Sequence, residues 1–188
     1  MELELATERL LLRPVVLSDV DLSIEMLTDP AVVKHVLKLM TPEEITECMP
    51  TWTSRGGCGC IGIWVASDRE TGEKIGTGSL LPMPIEAEEI NWARVVEDAM
   101  PEGDVEVGYI LKRSAWGKGY ATEICRRLVQ FAFEQTSFDE IVATFDDEHR
   151  KSRHVLEKCG FTDHGRRFCY GEDSVNFRIT RLEWIAGR

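Results

Sequence analysis

DVEVGYILKRSAWGKGYATE, Asp104 to Glu123, is the stretch that decides the fold. From Val105 to Leu111 it alternates in the two-residue period of a half-buried strand. A short loop follows, Trp116-Gly117-Lys118-Gly119-Tyr120-Ala121. The loop opens an amphipathic helix to about Gln135, with Ala121, Ile124, Cys125, Leu128, Phe131 and Ala132 at helical spacing. Strand, glycine loop and helix start together suit a phosphate. The first N–H groups of a helix lack internal partners and carry partial positive charge. Glycine removes the Cβ that would keep an anion away from them.

Working outward, the charge pattern agrees. The 188-residue chain is acidic, with net charge −11, yet Lys112, Arg113 and Lys118 occur with no acid between them. A second basic stretch, His149-Arg150-Lys151-Ser152-Arg153-His154, opens another helix. Two basic islands at two helix starts point to a local anion site. The overall acidity argues against nucleic acid as a partner and is compatible with a cationic substrate. No apolar run approaches the roughly 20 residues of a membrane span. The opening MELELATERLLLRP lacks the regions of a signal peptide, so a cytoplasmic location with no membrane partner is expected. Six cysteines, at 48, 58, 60, 125, 159 and 169, form no CxxC pair. They are expected as free thiols, and no metal site is expected.

The length suits one domain, residues 1–188. Arg9–Pro14 reads as a strand stopped by proline. Ser18 or Asp19 is placed to cap a helix to about Leu27. Asp29-Pro30 restarts a helix whose apolar stripe is Val32, Val33, Val36 and Leu37. Thr41-Pro42-Glu43-Glu44 signals another helix, to about Trp52. Ile61–Ala66 and Lys74–Leu81 are expected as antiparallel strands. Residues 82–104, acidic and opened by prolines, read as an insertion or long loop with one marginal helical turn. Ile141–Phe145 reads as a strand and Lys151–Lys158 as a helix ended by Gly160. Phe161–Tyr170 and Ser174–Trp184 are expected to close as a hairpin around Gly171-Glu172-Asp173. This order gives a mixed α/β sheet with helices on its faces. The loop after Leu111 lies at a carboxyl strand end, where open sheets bind ligands.

With those residues in place, the chain resembles the GNAT superfamily of acetyl-CoA-dependent N-acetyltransferases, and within it the branch of ribosomal-protein N-terminal acetyltransferases. Three motifs carry the likeness: Thr7–Pro14 (TERLLLRP), Glu106–Glu123 with WGKGYATE inside, and Ser152–Phe161 (SRHVLEKCGF). The resemblance implies a central mixed, mostly antiparallel sheet of about seven strands with helices on both faces. It implies a splay between Val105–Leu111 and Ile141–Phe145 that takes pantetheine on the backbone of Tyr109, Ile110 and Leu111. The loop that starts at Trp116 would hold the pyrophosphate on N–H groups from Gly117 through Lys118, Gly119, Tyr120 and Ala121 to Thr122. Lys118 would add a charge, and Lys112, Arg113, Arg150 or Lys151 would meet the 3′-phosphate. Where the family usually has Asn before the terminal helix, this chain has His149, an alternative donor.

Acetyl transfer to an amine needs a neutral nucleophile and a proton for the leaving thiolate. At pH 7 an α-amine is roughly a tenth neutral and a lysine amine under roughly one part in a thousand, so a general base matters. Glu106, on the strand bordering the splay, is the base candidate. Asp104 shares its face and is a rival. Ser152, spaced three, four and seven residues before Val155, Leu156 and Cys159, faces inward and is the candidate donor to thiolate; Tyr109 and Tyr120 are reserves. The expected reaction is acetyl transfer from acetyl-CoA to a primary amine, first a peptide N-terminus, then an aminoglycoside or polyamine. A catalytically silent acyl-CoA-binding module, and an interaction protein acting through the acidic insertion, are the other classes. Monomer and homodimer are both open.

Overall fold

Side-chain alternation along the central strands sorts the molecule into two faces. The computed structural model describes residues 2–35, 38–85 and 87–188. Its strands are β1 (Leu5–Ala6), β2 (Leu10–Pro14), β3 (Gly62–Asp68), β4 (Lys74–Pro82), β5 (Val105–Leu111), β6 (Glu140–Phe145), β7 (Thr162–Cys169) and β8 (Glu172–Thr180). They form one sheet in the order β1-β2-β3-β4-β5-β6-β8-β7, antiparallel except where β5 meets β6. The helices are α1 (Val20–Leu27), α2 (Pro30–Val33), α3 (Pro42–Trp52), α4 (Tyr120–Gln135), α5 (Arg150–Lys158) and α6 (Arg181–Ala186). No helix among the described residues is long and apolar enough to cross a membrane.

On one face Val105, Val107 and Leu111 of β5 pack with Ile124, Cys125 and Leu128 of α4 and Leu156 of α5. On the other, Val65 packs with Leu22, Met26, Ile45 and Met49 of α1 and α3, and Ile110 joins them. Close approach of α4 depends on Gly78, where a Cβ would stand 2.5 Å from Ile124 Cγ2. The helices start as the sequence suggests. Thr41 and Glu44 make a reciprocal capping box at α3, and Asp29 caps α2 with Pro30 behind it. Asp19 stands before α1 but is drawn into an ion cluster instead. Burial would raise its pKa, yet the Arg13 guanidinium, the Val16 N–H and Lys74 hold it well below the ordinary range. That cluster pins α1 to β2 and β4.

Several expectations change. The sheet has eight strands, because the two residues of β1 pair with β2. The final strand stops at Thr180 rather than Trp184. Thr180 and Glu183 form a capping box that turns the chain into α6. The hairpin turn is Tyr170-Gly171, tighter than expected: both residues have positive φ (53° and 76°), and Cys169 pairs with Glu172. Val36 and Leu37, expected on the stripe of α2, lie outside the described residues.

Residues 82–104 leave the sheet and return to it at one place, since Met83 N–H donates to Asp104 C=O. Between them a short 3-10 turn, Trp92–Arg94, stands where the marginal helical turn was expected. The segment docks on the glycine break: Gly57 N–H donates to Val96 C=O (2.9 Å) and Cys58 N–H to Glu97 C=O (2.5 Å). A Cβ at Gly56 would meet the Val96 backbone at 3.0 Å, which is why that position is bare. All six cysteines are free.

Candidate active site

The sheet opens between β5 and β6. These parallel strands pair at a single register point, Glu106 with Val142. Lys112 N–H donates to Ile75 C=O and Met83 N–H to Asp104 C=O, which fixes the alternation of the β4–β5 ladder. The backbone groups of Ile110 are thereby turned toward β4, and those of Val107, Tyr109 and Leu111 toward the opening. The Leu111 carbonyl is already taken by the Trp116 indole N–H at 2.9 Å. Tyr109 and the Leu111 N–H remain to meet an extended amide-bearing ligand; Ile110, expected to share that role, faces away.

Glu106 is what ends the pairing. Its Oε1 accepts the Thr144 N–H (2.8 Å) and Thr144 hydroxyl (2.5 Å), and its Oε2 accepts the Tyr170 hydroxyl (2.6 Å). In a continued parallel ladder the Thr144 N–H would go to the next β5 carbonyl, Val107. The carboxylate substitutes for that carbonyl and wedges the strands apart. Burial pushes the Glu106 carboxyl above its ordinary pKa, outweighing the stabilising bonds from Thr144 and Tyr170. Burial and the Glu106 charge together push the Tyr170 phenol far up, so Tyr170 is a fixed donor. Asp104, the rival on the same face, is committed to Arg167 at 2.5 Å.

At the carboxyl end of β5 lies the glycine loop. Among the described residues, none of the backbone N–H groups from Gly117 to Thr122 has a hydrogen-bond partner; the first helical bond runs from Glu123 N–H to Gly119 C=O. Gly117 and Gly119 have φ of 75° and 83°, and nothing lies within 4 Å of where a Gly117 Cβ would be. An open row of N–H groups at a helix start fits a diphosphate. The basic residues around it separate into two sets. Lys112 is paired with Glu73 (2.7 Å), and Arg113 with Asp29. Lys118, Arg150 and Lys151 have no ion-pair partner among the described residues, and Lys151 Nζ lies 4.8 Å over the Trp116 ring.

A clasp holds the loop from outside. Glu123 accepts from the Thr7 hydroxyl (2.6 Å), the Arg9 N–H (2.9 Å) and the Arg9 guanidinium (Nε at 2.8 Å). The same guanidinium donates to the Lys118 carbonyl (2.9 Å) and stacks on Tyr120. Burial alone would raise the Glu123 pKa, but Thr7 and Arg9 bring it below normal. The TER of the first motif thus grips the ATE of the second, a contact the residue spacing does not reveal. Tyr120 is turned outward to Asp68 (3.2 Å) and away from any reserve donor role.

Across the opening, Ser152 on the first turn of α5 shares a 2.9 Å hydrogen bond with the Tyr109 hydroxyl. Burial raises the Tyr109 pKa strongly, which keeps the phenol protonated. The pair is one proton-bearing unit on the α4–α5 face, whereas Glu106 lies on the opposite face. His149 stands before α5 and stacks on His35, with centroids 4.7 Å apart; His35 Nδ1 donates to Asp146 (2.9 Å). Burial and the neighbouring His35 lower the His149 pKa, favouring the neutral ring. Thr144, Tyr170, Arg9 and His35 all escaped the sequence reading; only Arg9 had a signal, its place in the first motif.

A family model described as an acetyltransferase (GNAT) domain matches residues 9–162. The FsC-acetyl coenzyme A-N(2)-transacetylase of Aspergillus fumigatus is 28% identical over 197 residues, covering 96% of this chain and 77% of that protein. YdaF of Bacillus subtilis, provisionally named a ribosomal N-acetyltransferase, is 31% identical over 85 residues, 42% of this chain and 46% of its own. Among solved structures, the aminoglycoside acetyltransferase AAC(6')-Ib in complex with ribostamycin and coenzyme A superposes with a TM-score of 0.75 at 19% identity, covering 96% of this chain and 98% of that one.

Proposed function

The chain belongs to the GNAT acetyltransferase family, and we propose that it transfers an acetyl group from acetyl-CoA to a primary amine, with Glu106 as base and the Tyr109–Ser152 pair as proton source. The observation that carries this reading is the separation of these groups across one opening in the sheet. The glycine loop and the backbone of Tyr109 and Leu111 bind the diphosphate and pantetheine of the donor. Lys118 and Lys151 supply its counter-charge. The acceptor enters from the α1–α3 face, where the carboxylate of Glu106 takes a proton directly or through water. On the other face the Tyr109 hydroxyl, backed by Ser152, donates toward the developing thiolate.

For the acceptor, an N-terminal peptide amine is our first choice. It is neutral at pH 7 roughly 200–400 times more often than a lysine amine, which lightens the work of a single carboxylate. The partial likeness to YdaF supports the same choice. Aminoglycosides and polyamines are the second. The test is release of free thiol from acetyl-CoA with an alanine-initiated peptide, spermine and ribostamycin. Turnover with the peptide at the highest kcat/KM supports the reading; saturable acetyl-CoA binding without turnover of any amine replaces it with a silent binding module.

A further inference from the structure

Asn176 lies in the middle of β8 and is only 8% exposed, yet its Oδ1 is shut from solvent with no hydrogen-bond partner. No other buried side-chain nitrogen or oxygen among the described residues is left in that condition. Buried polar groups are almost always paired, so an orphan in the middle of a sheet calls for a reason.

Its neighbours supply one. The β6–β8 register sets Asn176 directly opposite Thr144. Both point away from α4, because the alternate residues Ala143, Phe145, Val175 and Phe177 fill the α4 core. Thr144 gives its hydroxyl and N–H to Glu106 Oε1. Directly opposed residues hold their Cβ atoms about 4.5–5.5 Å apart, so the amide is one side chain from the Glu106 carboxylate. Neither end of the amide is hydrogen-bonded among the described residues. A half-turn about χ2, a broad torsion, therefore moves Oδ1 to the outer side without breaking a bond.

We propose that Asn176 is an acceptor-binding residue, its Oδ1 receiving one N–H of the incoming primary amine beside Glu106. The proposal rests on the transferase reading above. A primary amine that attacks through its lone pair still carries two N–H bonds. As the N–C bond forms and the thioester C–S bond breaks, Glu106 takes one of those protons, and the thiolate receives its own from the Tyr109–Ser152 side. The second N–H needs an acceptor, and with both held the lone pair is left pointing in one direction. Among the described residues Asn176 Oδ1 is the buried side-chain acceptor left without a donor, and the strand register sets it beside the Thr144–Glu106 pair.

The test is Asn176→Leu, with Asn176→Val as a second variant should leucine fail to fold. Melting temperature, acetyl-CoA KM and kcat/KM are measured with the alanine-initiated peptide, spermine and ribostamycin. Removing an unpaired buried amide is expected to leave the melting temperature equal or higher. Acetyl-CoA KM stays unchanged, and kcat/KM for the best amine falls about tenfold, the worth of one hydrogen bond to a reacting group. Unchanged amine kinetics overturn the proposal, as does a parallel worsening of acetyl-CoA and amine constants with a lower melting temperature, which marks a structural amide. Failure of the unmodified protein to turn over any of the three amines overturns the transferase reading itself, and this inference with it.

Discussion

The glycine loop and the Glu106 cluster stand on either side of one gap in the sheet, and they are built by opposite means. The loop is contiguous, Gly117 to Thr122, and presents backbone N–H groups that its own helix geometry leaves free among the described residues. The cluster is assembled from β5, β6 and the β7–β8 turn, through the side chains of Glu106, Thr144 and Tyr170. Backbone binding of an anion needs glycine and a helix start, both of which are written locally. Acid–base chemistry needs a carboxylate whose surroundings set its proton affinity, and those surroundings arrive from elsewhere in the chain.

The sharpest break in that comparison is Gly119→Asp. It places a side chain and a negative charge at the helix start, where like-charge contact with a diphosphate costs several kcal/mol. Acetyl-CoA affinity should fall at least about 100-fold by calorimetry, while folding is retained; preserved affinity would remove the loop from the site.

On the other side of the gap, Glu106→Gln and Glu106→Ala separate base from wedge. Gln keeps an acceptor for Thr144 and should lower kcat about 10²–10³-fold with acetyl-CoA affinity spared. Ala also leaves the half-buried Thr144 N–H without that acceptor, adding a loss of about 1 kcal/mol, or roughly 2–4 °C of melting temperature. Equal melting temperatures for the two variants would deny the wedge. The raised Glu106 pKa sets the sign of the pH effect. A base must be ionised, so kcat/KM falls as pH drops through a value above the ordinary 4.5, and the Gln variant loses that limb. For stability the direction is reversed. A carboxyl bound more tightly to its proton in the folded state stabilises most below its unfolded pKa, and that contribution fades as pH rises through the folded value. The melting temperature of Glu106→Gln relative to the parent should therefore climb with pH across that window.

Smaller effects are expected around the loop. Arg9→Ala frees the Lys118 carbonyl and leaves Glu123 with fewer donors. Acetyl-CoA KM should rise about 3–10-fold with kcat little changed, in keeping with hydrogen bonds to charged groups of about 1.5–3 kcal/mol that act on the loop indirectly. A matching fall in kcat would mean that the clasp reaches the chemistry. Smallest is Lys151→Ala. An exposed cation loses about 1 kcal/mol at most, so KM should rise by no more than about fivefold, and less with 3′-dephospho-acetyl-CoA. Equal effects on both donors would place Lys151 away from the 3′-phosphate.

How much was legible follows the same division. The elements from Leu10 to Phe145 lay close to where periodicity and caps put them, because strand alternation and helix capping are local. Misses came where pairing decided: β1 exists only as a partner of β2, and α6 begins where Thr180 and Glu183 outcompete the strand pattern. Two of four cations offered for the 3′-phosphate, Lys112 and Arg113, proved bound to Glu73 and Asp29 on distant segments. Charge runs state composition and are silent on partners.

By itself the sequence determined the glycine loop, its helix and the strand before it, since each depends on residues within a few positions of one another, and the order of the elements implied a mixed sheet to carry them. Only the tertiary structure decided that Glu106 bridges to Thr144 where the strands part, that Tyr109 and Ser152 share a hydrogen bond, that Arg9 clasps the loop and that Asn176 stands unpaired, among the described residues, beside the Thr144–Glu106 pair. These are contacts between residues 38 to 114 positions apart, or an absence of contact, and they arise from strand order and register, which local patterns do not encode.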